Sequence, residues 1–431
     1  MADVVIFRLT VRVDPVDEWG MHPFSCRWLS VLGLSLGLVW GPVGRGAPGE
    51  IGVSVSAGAF DRREAIVSLE VPQGWAAFTQ AQAPNGPAVP FQVGADGRGW
   101  FVAPKLAKGA TETFYLKGAL PSSVATNRVT VERRNMDLAL AITGRGEVCV
   151  YRAAPTPLPR ADIKAVFQRG GYLHPLFSPS GKTLTDDYPA NHLHHHGVWV
   201  AWPRTEFEAR QPNFWEMGVG TGTVLPLGIA EVTEGPVWGG FVARHRFVDL
   251  SASPPKPVLN ETWLVRLYSL GQAGRAYYLF DLTFTQSCAG LSPLKLPEYR
   301  YGGLGVRGNW AWNGRDNASF LTSEGETDRV KGNTSRSRWC AMSGNLDGQP
   351  ASIAVLSHPG NFRAPQPMRL HPDEPFLCFA PTQAGEFSIT PAEPLVAHYR
   401  LVLFDGPPDR AELDRLWNDF AFPPTATISM P

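Results

Sequence analysis

Four of the chain's ten histidines fall within five positions, in Asn191-His-Leu-His-His-His-Gly197. Neutral imidazole is the commonest transition-metal ligand and the side chain best poised for proton transfer near neutral pH. Laid out as an extended strand, this segment would send His192, His194 and His196 to one side and His195 to the other. The competing expectation is a polar loop whose rings stack on Trp199 and Trp202. Two further stretches carry chemistry-bearing side chains. Glu298-Tyr-Arg-Tyr-Gly-Gly-Leu-Gly-Val-Arg307 sets a carboxylate, two guanidinium groups and two phenols around three glycines. It lacks the Lys-Ser/Thr of a phosphate loop, so the glycines are expected to permit a bulge or close backbone approach. His358-Pro-Gly-Asn-Phe-Arg363 brings another imidazole and Asn361 into a turn. Glu206, Glu208 and Glu216 lie among Trp202, Phe207, Phe214 and Trp215, and acids beside aromatic rings suit a sugar site. No G-x-S-x-G elbow, H-E-x-x-H pair or dinucleotide fingerprint occurs.

The elements that must position these residues read as strands. Ala65–Val71 and Asn127–Arg133 alternate with period two. Phe91–Val93 and Gly99–Val102 flank Asp96-Gly97, a hairpin signal. In Glu261–Tyr268, Trp263, Val265 and Leu267 share a face; in Tyr277–Phe284, Tyr278, Phe280, Leu282 and Phe284 do, which predicts an antiparallel hairpin. One helix is expected over Asp409–Ala421, capped by Asp409 with Glu412 three residues on and stopped by Pro423-Pro424. A seam at Pro155–Pro159 is expected between an N-terminal β module, 48–154, and a larger β domain, 155–431, the alternative being one extended sandwich that includes both. Lys+Arg and Asp+Glu balance at 39 each, so nothing marks the chain for nucleic acid or an anionic membrane. A basic leader from Met21 to Arg27, the apolar run Trp28–Trp40 and small residues to Ala47 have the layout of a signal peptide. The run is shorter than the ~20 residues of a spanning helix. A secreted or periplasmic location, with translation starting at Met21 and no membrane insertion of the mature chain, is the expectation. Cys149, Cys288, Cys340 and Cys378 would remain after cleavage, too widely spaced for a zinc knuckle, as disulfides or buried thiols.

With these motifs in view, the chain resembles a family of secreted bacterial proteins labelled methane oxygenase PmoA-like. The resemblance runs from about Gly170 to Gly406. It rests on Tyr172–Gly181, Asn191–Gly197, Tyr301–Arg307 and His358–Asn361. It implies a large antiparallel β-sandwich similar to the sugar-mutarotase supersandwiches, in bacteria that degrade polysaccharides. The histidines it carries over are His192, His194 and His195. His196 stands where the family has Arg, Asn191 and Leu193 where it has Asp and Pro, and Ser357 where it has Asp. The expectation is a mainly β, carbohydrate-active enzyme of hydrolase, lyase or epimerase type, acting on a neutral saccharide or glycoside. His192, His194 and His195, with Glu298 or Glu216, would be catalytic. Arg307, His358, Tyr301, Asn361 and Trp199 would bind substrate, with Arg307 and His358 converging on the histidine cluster. A divalent metal, if bound, would sit on His192, His194 and His195. The alternatives are a non-catalytic glycan-binding protein and a metal-dependent oxidoreductase.

Overall fold

A computed structural model describes residues 51–118, 127–155, 157–270 and 277–429. The expected signal segment and the residues before it lie outside the described residues. The chain is mainly β, with antiparallel sheets and a helix near the C-terminus. A seven-stranded sheet holds the strands from Ile51–Ser56 to Thr111–Gly118 and is completed by Thr425–Ser429, which pairs with Ile51–Ser56. Its own core comprises Val53, Val67, Phe91, Phe101 and Phe114, among others. Here Phe91 pairs with Phe101 across the Asp96-Gly97 turn, as the alternation predicts, and Gly97 takes φ 72°.

The larger body is a sandwich of two eight-stranded sheets. In the second sheet the four long strands from Gly222–Thr233 to Tyr277–Cys288 follow one another, Leu395–Asp405 pairs beside the last, and the predicted hairpin lies among them: Trp263 pairs with Phe284, Val265 with Leu282 and Leu267 with Phe280. All six side chains are buried in the core shared with the first sheet. The first sheet runs in the order Met368–Leu370, Phe376–Phe379, Gly303–Arg307, Val198–Ala201, Tyr172–Leu176, Gly146–Arg152, Asp137–Ile142 and Val129–Arg134. This sheet crosses the expected seam. Residues 129–152, assigned by sequence to the N-terminal module, pair edge to edge with Tyr172–Leu176, because their apolar faces bury against the second sheet rather than the seven-stranded one.

The helix Arg410–Ala421 forms where predicted, with the Asp409 carboxylate accepting from the N–H groups of Ala411 and Glu412. Leu413, Leu416 and Trp417 pack it on the outer face of the second sheet, over Trp339, Leu356 and Val402. The four cysteines are free thiols, and burial pushes those of Cys340 and Cys378 up to about 12. No described helix is long and apolar enough to cross a membrane.

Candidate functional site

Strand alternation decides which face of the first sheet is available for chemistry. Val198, Val200, Leu304, Val306, Leu377 and Phe379 point into the sandwich core. Their neighbours point outward, and register aligns them: Trp199 lies opposite Gly305, Gly305 opposite Cys378, and Cys378 opposite Arg369. The glycine in this row is a packing requirement. A Cβ on Gly305 would lie 2.8 Å from Trp215 and 3.1 Å from Trp199. The glycines before Arg307 therefore admit indole rings, and Trp215 settles over the sheet as one wall of a cavity.

The histidine segment enters this face as a turn, not as an extended strand. The His192 N–H donates to Pro189 O and the His195 N–H to His192 O, at 2.9 and 2.8 Å. Gly197 then brings the chain against Leu173, whose carbonyl would sit 2.2 Å from any Cβ there. Because the segment is coiled, His192, His194 and His195 all line one cavity of about 150 Å³, with Trp215, Glu216, Arg300, Tyr301, Arg369, His371 and Phe376. His196 turns away instead. Its Nδ1 lies 2.6 Å from the Asp187 carboxylate, which also accepts from the Tyr172 hydroxyl, and its ring stacks on Tyr172. That buried trio anchors the turn.

Burial keeps three of the cavity's imidazoles neutral. Burial, assisted by His192, pushes His194 down to about 4. Burial likewise brings His371 to about 4 and holds His195 well below the usual histidine range. His195 is enclosed by Phe376, stacked at 4.8 Å, and Trp199 at 5.2 Å. On the facing side, the Tyr301 hydroxyl donates a hydrogen bond to Glu216, whose other oxygen accepts from Asn213 at 3.2 Å. Burial and that carboxylate raise the Tyr301 pKa, so the phenol keeps its proton.

Behind His192 stands a polar clamp. Arg307, fully buried, donates to Glu374, to Asn191 Oδ1 at 3.1 Å and to Asn313 Oδ1 at 2.7 Å. Asn191 also donates to Glu374 Oε1 at 2.8 Å. Burial opposes ionisation of Glu374, but His192 and Arg307 together hold its carboxyl down to about 2. Glu374 Oε2 lies 2.9 Å from His192 Nδ1, close enough to orient the ring although off the line of a hydrogen bond.

These residues do not fit a resident divalent ion well. His192 and His195 are stacked with centroids 4.6 Å apart at an interplanar angle of 20°, so their lone pairs lie in separate, near-parallel planes and do not converge on one ion. The atoms that do gather, within 4.8 Å, belong to His192, His371 and Glu374. There, Arg307 already takes the carboxylate. His371 Nδ1 accepts the N–H groups of Asp373 and Glu374 at 3.3 and 3.2 Å, which leaves the proton on Nε2 of the neutral ring.

Several sequence expectations are corrected. His358 and Asn361 do not meet the histidine cluster, because the strand before them, Gln349–Ser357, belongs to the second sheet, under the helix. The His358 ring lies 5.0 Å from Phe420 of the helix, and Asn361 bonds to Ser357 and to both backbone groups of His398. Glu298 is exposed and does not line the cavity. Trp199 backs His195 rather than facing a ligand. Arg307 acts through Glu374 and Asn191 instead of lining the cavity. Sequence reasoning missed Arg369, His371, Glu374 and Phe376, and gave Arg300 no role in the site. The signal was present in His371-Pro-Asp-Glu-Pro375, where an imidazole and a carboxylate three apart are fenced by prolines.

A family model matches residues 139–418. The chain belongs to DUF6807, a family of unknown function. Every residue lining the cavity falls inside the DUF6807 span. No curated protein matches the chain in sequence. Among solved structures, the DUF6807 chain is similar to a protein in glycosyl hydrolase family 38 from Enterococcus faecalis, at 9% identity and a TM-score of 0.38, over 88% of this chain and 47% of that one. It is also similar to an alpha-mannosidase from Enterococcus faecalis V583, at 11% identity and a TM-score of 0.41, over 88% and 46%. The chain spans about half the length of both.

Proposed function

We propose that the cavity is the active site of a saccharide-acting enzyme that moves a carbon-bound proton, of the lyase or epimerase type. The carrying observation is the arrangement of the cavity: imidazoles on one side, with Glu374 behind His192, face the Tyr301 phenol on the other. A neutral imidazole accepts a proton and a phenol donates one, so the two sides supply a base and an acid. Glycoside hydrolysis ordinarily needs two carboxylates flanking the bond. Only Glu216 among the lining residues is a carboxylate, and it is engaged by Tyr301 and Asn213. The saccharide class is supported by Trp215, Tyr301 and Phe376, whose rings offer apolar faces beside polar groups. At about 150 Å³ the cavity suits one sugar ring, being smaller than the ~300 Å³ at which drug-sized sites begin.

In this reading His192, oriented by Glu374, takes the proton from carbon. The electron pair left behind has two balanced fates. A proton delivered to the opposite face by Tyr301 inverts the carbon, and the phenol regains its proton from His192 through solvent. Alternatively, the pair forms a C=C bond as the bond to the β-oxygen breaks, and Tyr301 passes its proton to the departing oxygen. His194 and His195 shape the cavity and contact the ring. The test is incubation of the purified protein with a saccharide panel in D₂O, read by NMR and mass spectrometry. Solvent deuterium on a sugar carbon, or an unsaturated sugar product, is expected. New reducing ends with neither change would establish hydrolysis and refute the proposal, and binding without any turnover would leave a glycan-binding protein.

A further inference from the structure

The cavity lining is unbalanced in charge. Arg300 and Arg369 both face it, and among the described residues neither forms an ion pair with a carboxylate. Arg369 stands on the edge strand Met368–Leu370, whose other two side chains are in the sandwich core, so alternation aims it at the cavity face. It is half-buried, and its protein hydrogen bond goes to a neutral acceptor, Asn333 Oδ1, at 3.2 Å through Nη1. Among the described residues, no other acceptor engages the rest of its donor fork. Arg300 stands at the rim with its guanidinium over the rings of Tyr301 and Tyr299, 5.4 and 5.8 Å from their centroids. The one carboxylate in the lining, Glu216, is taken by Tyr301 and Asn213. Burial and the neighbouring Arg300 both lower the Arg369 pKa, so the pair repels with no protein anion between. Arg307 and Arg400 are matched by Glu374 and Asp281, and the buried Arg169 and Arg329 are held by backbone carbonyls.

We propose that Arg300 and Arg369 form a carboxylate-binding subsite and that the saccharide accepted here is an acidic sugar of the uronate class. This replaces the neutral sugar expected from overall charge. It rests on the saccharide reading above for the body of the ligand, though not for its anion. A guanidinium fork matches a planar carboxylate with two parallel charge-assisted hydrogen bonds. It also fits the proton chemistry. A carboxylate held between two cations makes the hydrogen on the adjacent carbon more acidic, because the negative charge that develops on its oxygens is already neutralised.

The experiment is calorimetric titration of the full chain with uronate oligosaccharides and with the same oligosaccharides after reduction of each carboxyl to a primary alcohol. Acetate and sulfated oligosaccharides are the further probes. The acidic form is expected to bind at least about tenfold more tightly than its reduced counterpart. Arg369→Gln should abolish that preference without lowering the melting temperature, and Arg369→Lys should restore part of it. Equal binding of acidic and reduced sugars, or tighter binding of sulfated ones, overturns the subsite while leaving the saccharide reading standing. Acetate stabilising the wild type but not Arg369→Gln, with no saccharide bound, keeps the subsite and sinks the saccharide reading. If Arg369→Gln proves unstable, Arg300→Gln at the rim makes the same comparison.

Discussion

Replacing Glu374 by Gln tests whether the clamp behind His192 is held by charge. The change keeps shape and one acceptor oxygen but removes the only carboxylate among the described residues that pairs with Arg307, whose side chain is 0% exposed. Breaking a buried ion pair from one side costs about 3–5 kcal/mol, because the surviving charge stays desolvated. The low end applies here, since Asn191 and Asn313 still accept from Nη2. The expected loss is therefore about 3 kcal/mol. Urea unfolding followed by tryptophan fluorescence measures it, and the denaturant slope should stay unchanged. The decisive arm is the cycle with Arg307→Met. Once the guanidinium is gone the Glu374→Gln cost should shrink, leaving the double variant at least about 1 kcal/mol more stable than additivity allows. A Glu374→Gln loss below about 1 kcal/mol, with additive behaviour in the cycle, would refute the argument that Arg307 depends on this carboxylate.

Burial depresses His174 to about 4, as it does His194 and His371, against 6.5 in the unfolded chain. The unfolded state then binds more protons between those values, so stability is complete above about pH 6.5 and lost progressively towards pH 4, by at most about 3 kcal/mol from His174; melting temperatures that hold steady across this window would contradict it. Tyr301→Phe removes the proton donor while keeping the ring, and should cut turnover at least about a hundredfold with little change in saccharide affinity. Gly305→Ala should destabilise by about 1–3 kcal/mol and weaken ligand binding, because its methyl displaces the Trp215 wall; unchanged binding would show that the wall is not needed. In native protein, Cys288 should react with a thiol reagent well before Cys149, Cys340 and Cys378, which are buried.

Period-two alternation carried most of the fold into view, since a half-buried strand writes its two faces into neighbouring residues. The Trp263/Phe284 hairpin and the Asp409-capped helix could be read for this reason. The site was legible only in part. Its histidines stand out by density, and Glu216 and Tyr301 by their aromatic company. Arg369 looks like any outward residue of an edge strand, and its role arises from register with Cys378 and Gly305, partners far away in the chain. Local pattern also misled. His358-Pro-Gly-Asn361 has the composition of a site, but its strand belongs to the other sheet, and no short-range signal says which sheet a strand will join. The seam at Pro155–Pro159 failed similarly, because a proline-rich stretch marks a turn whether or not one sheet continues on both sides of it.

The pairing of Ile51–Ser56 with Thr425–Ser429 has a consequence for how the molecule is made. On a ribosome, the first of these strands emerges early and finds one neighbour, Thr111–Gly118, soon afterwards. Its other edge then stays open while the whole sandwich is synthesised, and an exposed strand edge is a template for pairing with other chains. Joining distant segments adds only a logarithmic entropy term, so the finished sheet loses little stability from the separation. The exposure is one of time rather than of equilibrium. A nascent chain stalled anywhere before Thr425 presents that unpaired edge, which makes the last strand the natural target for a release-coupled aggregation assay.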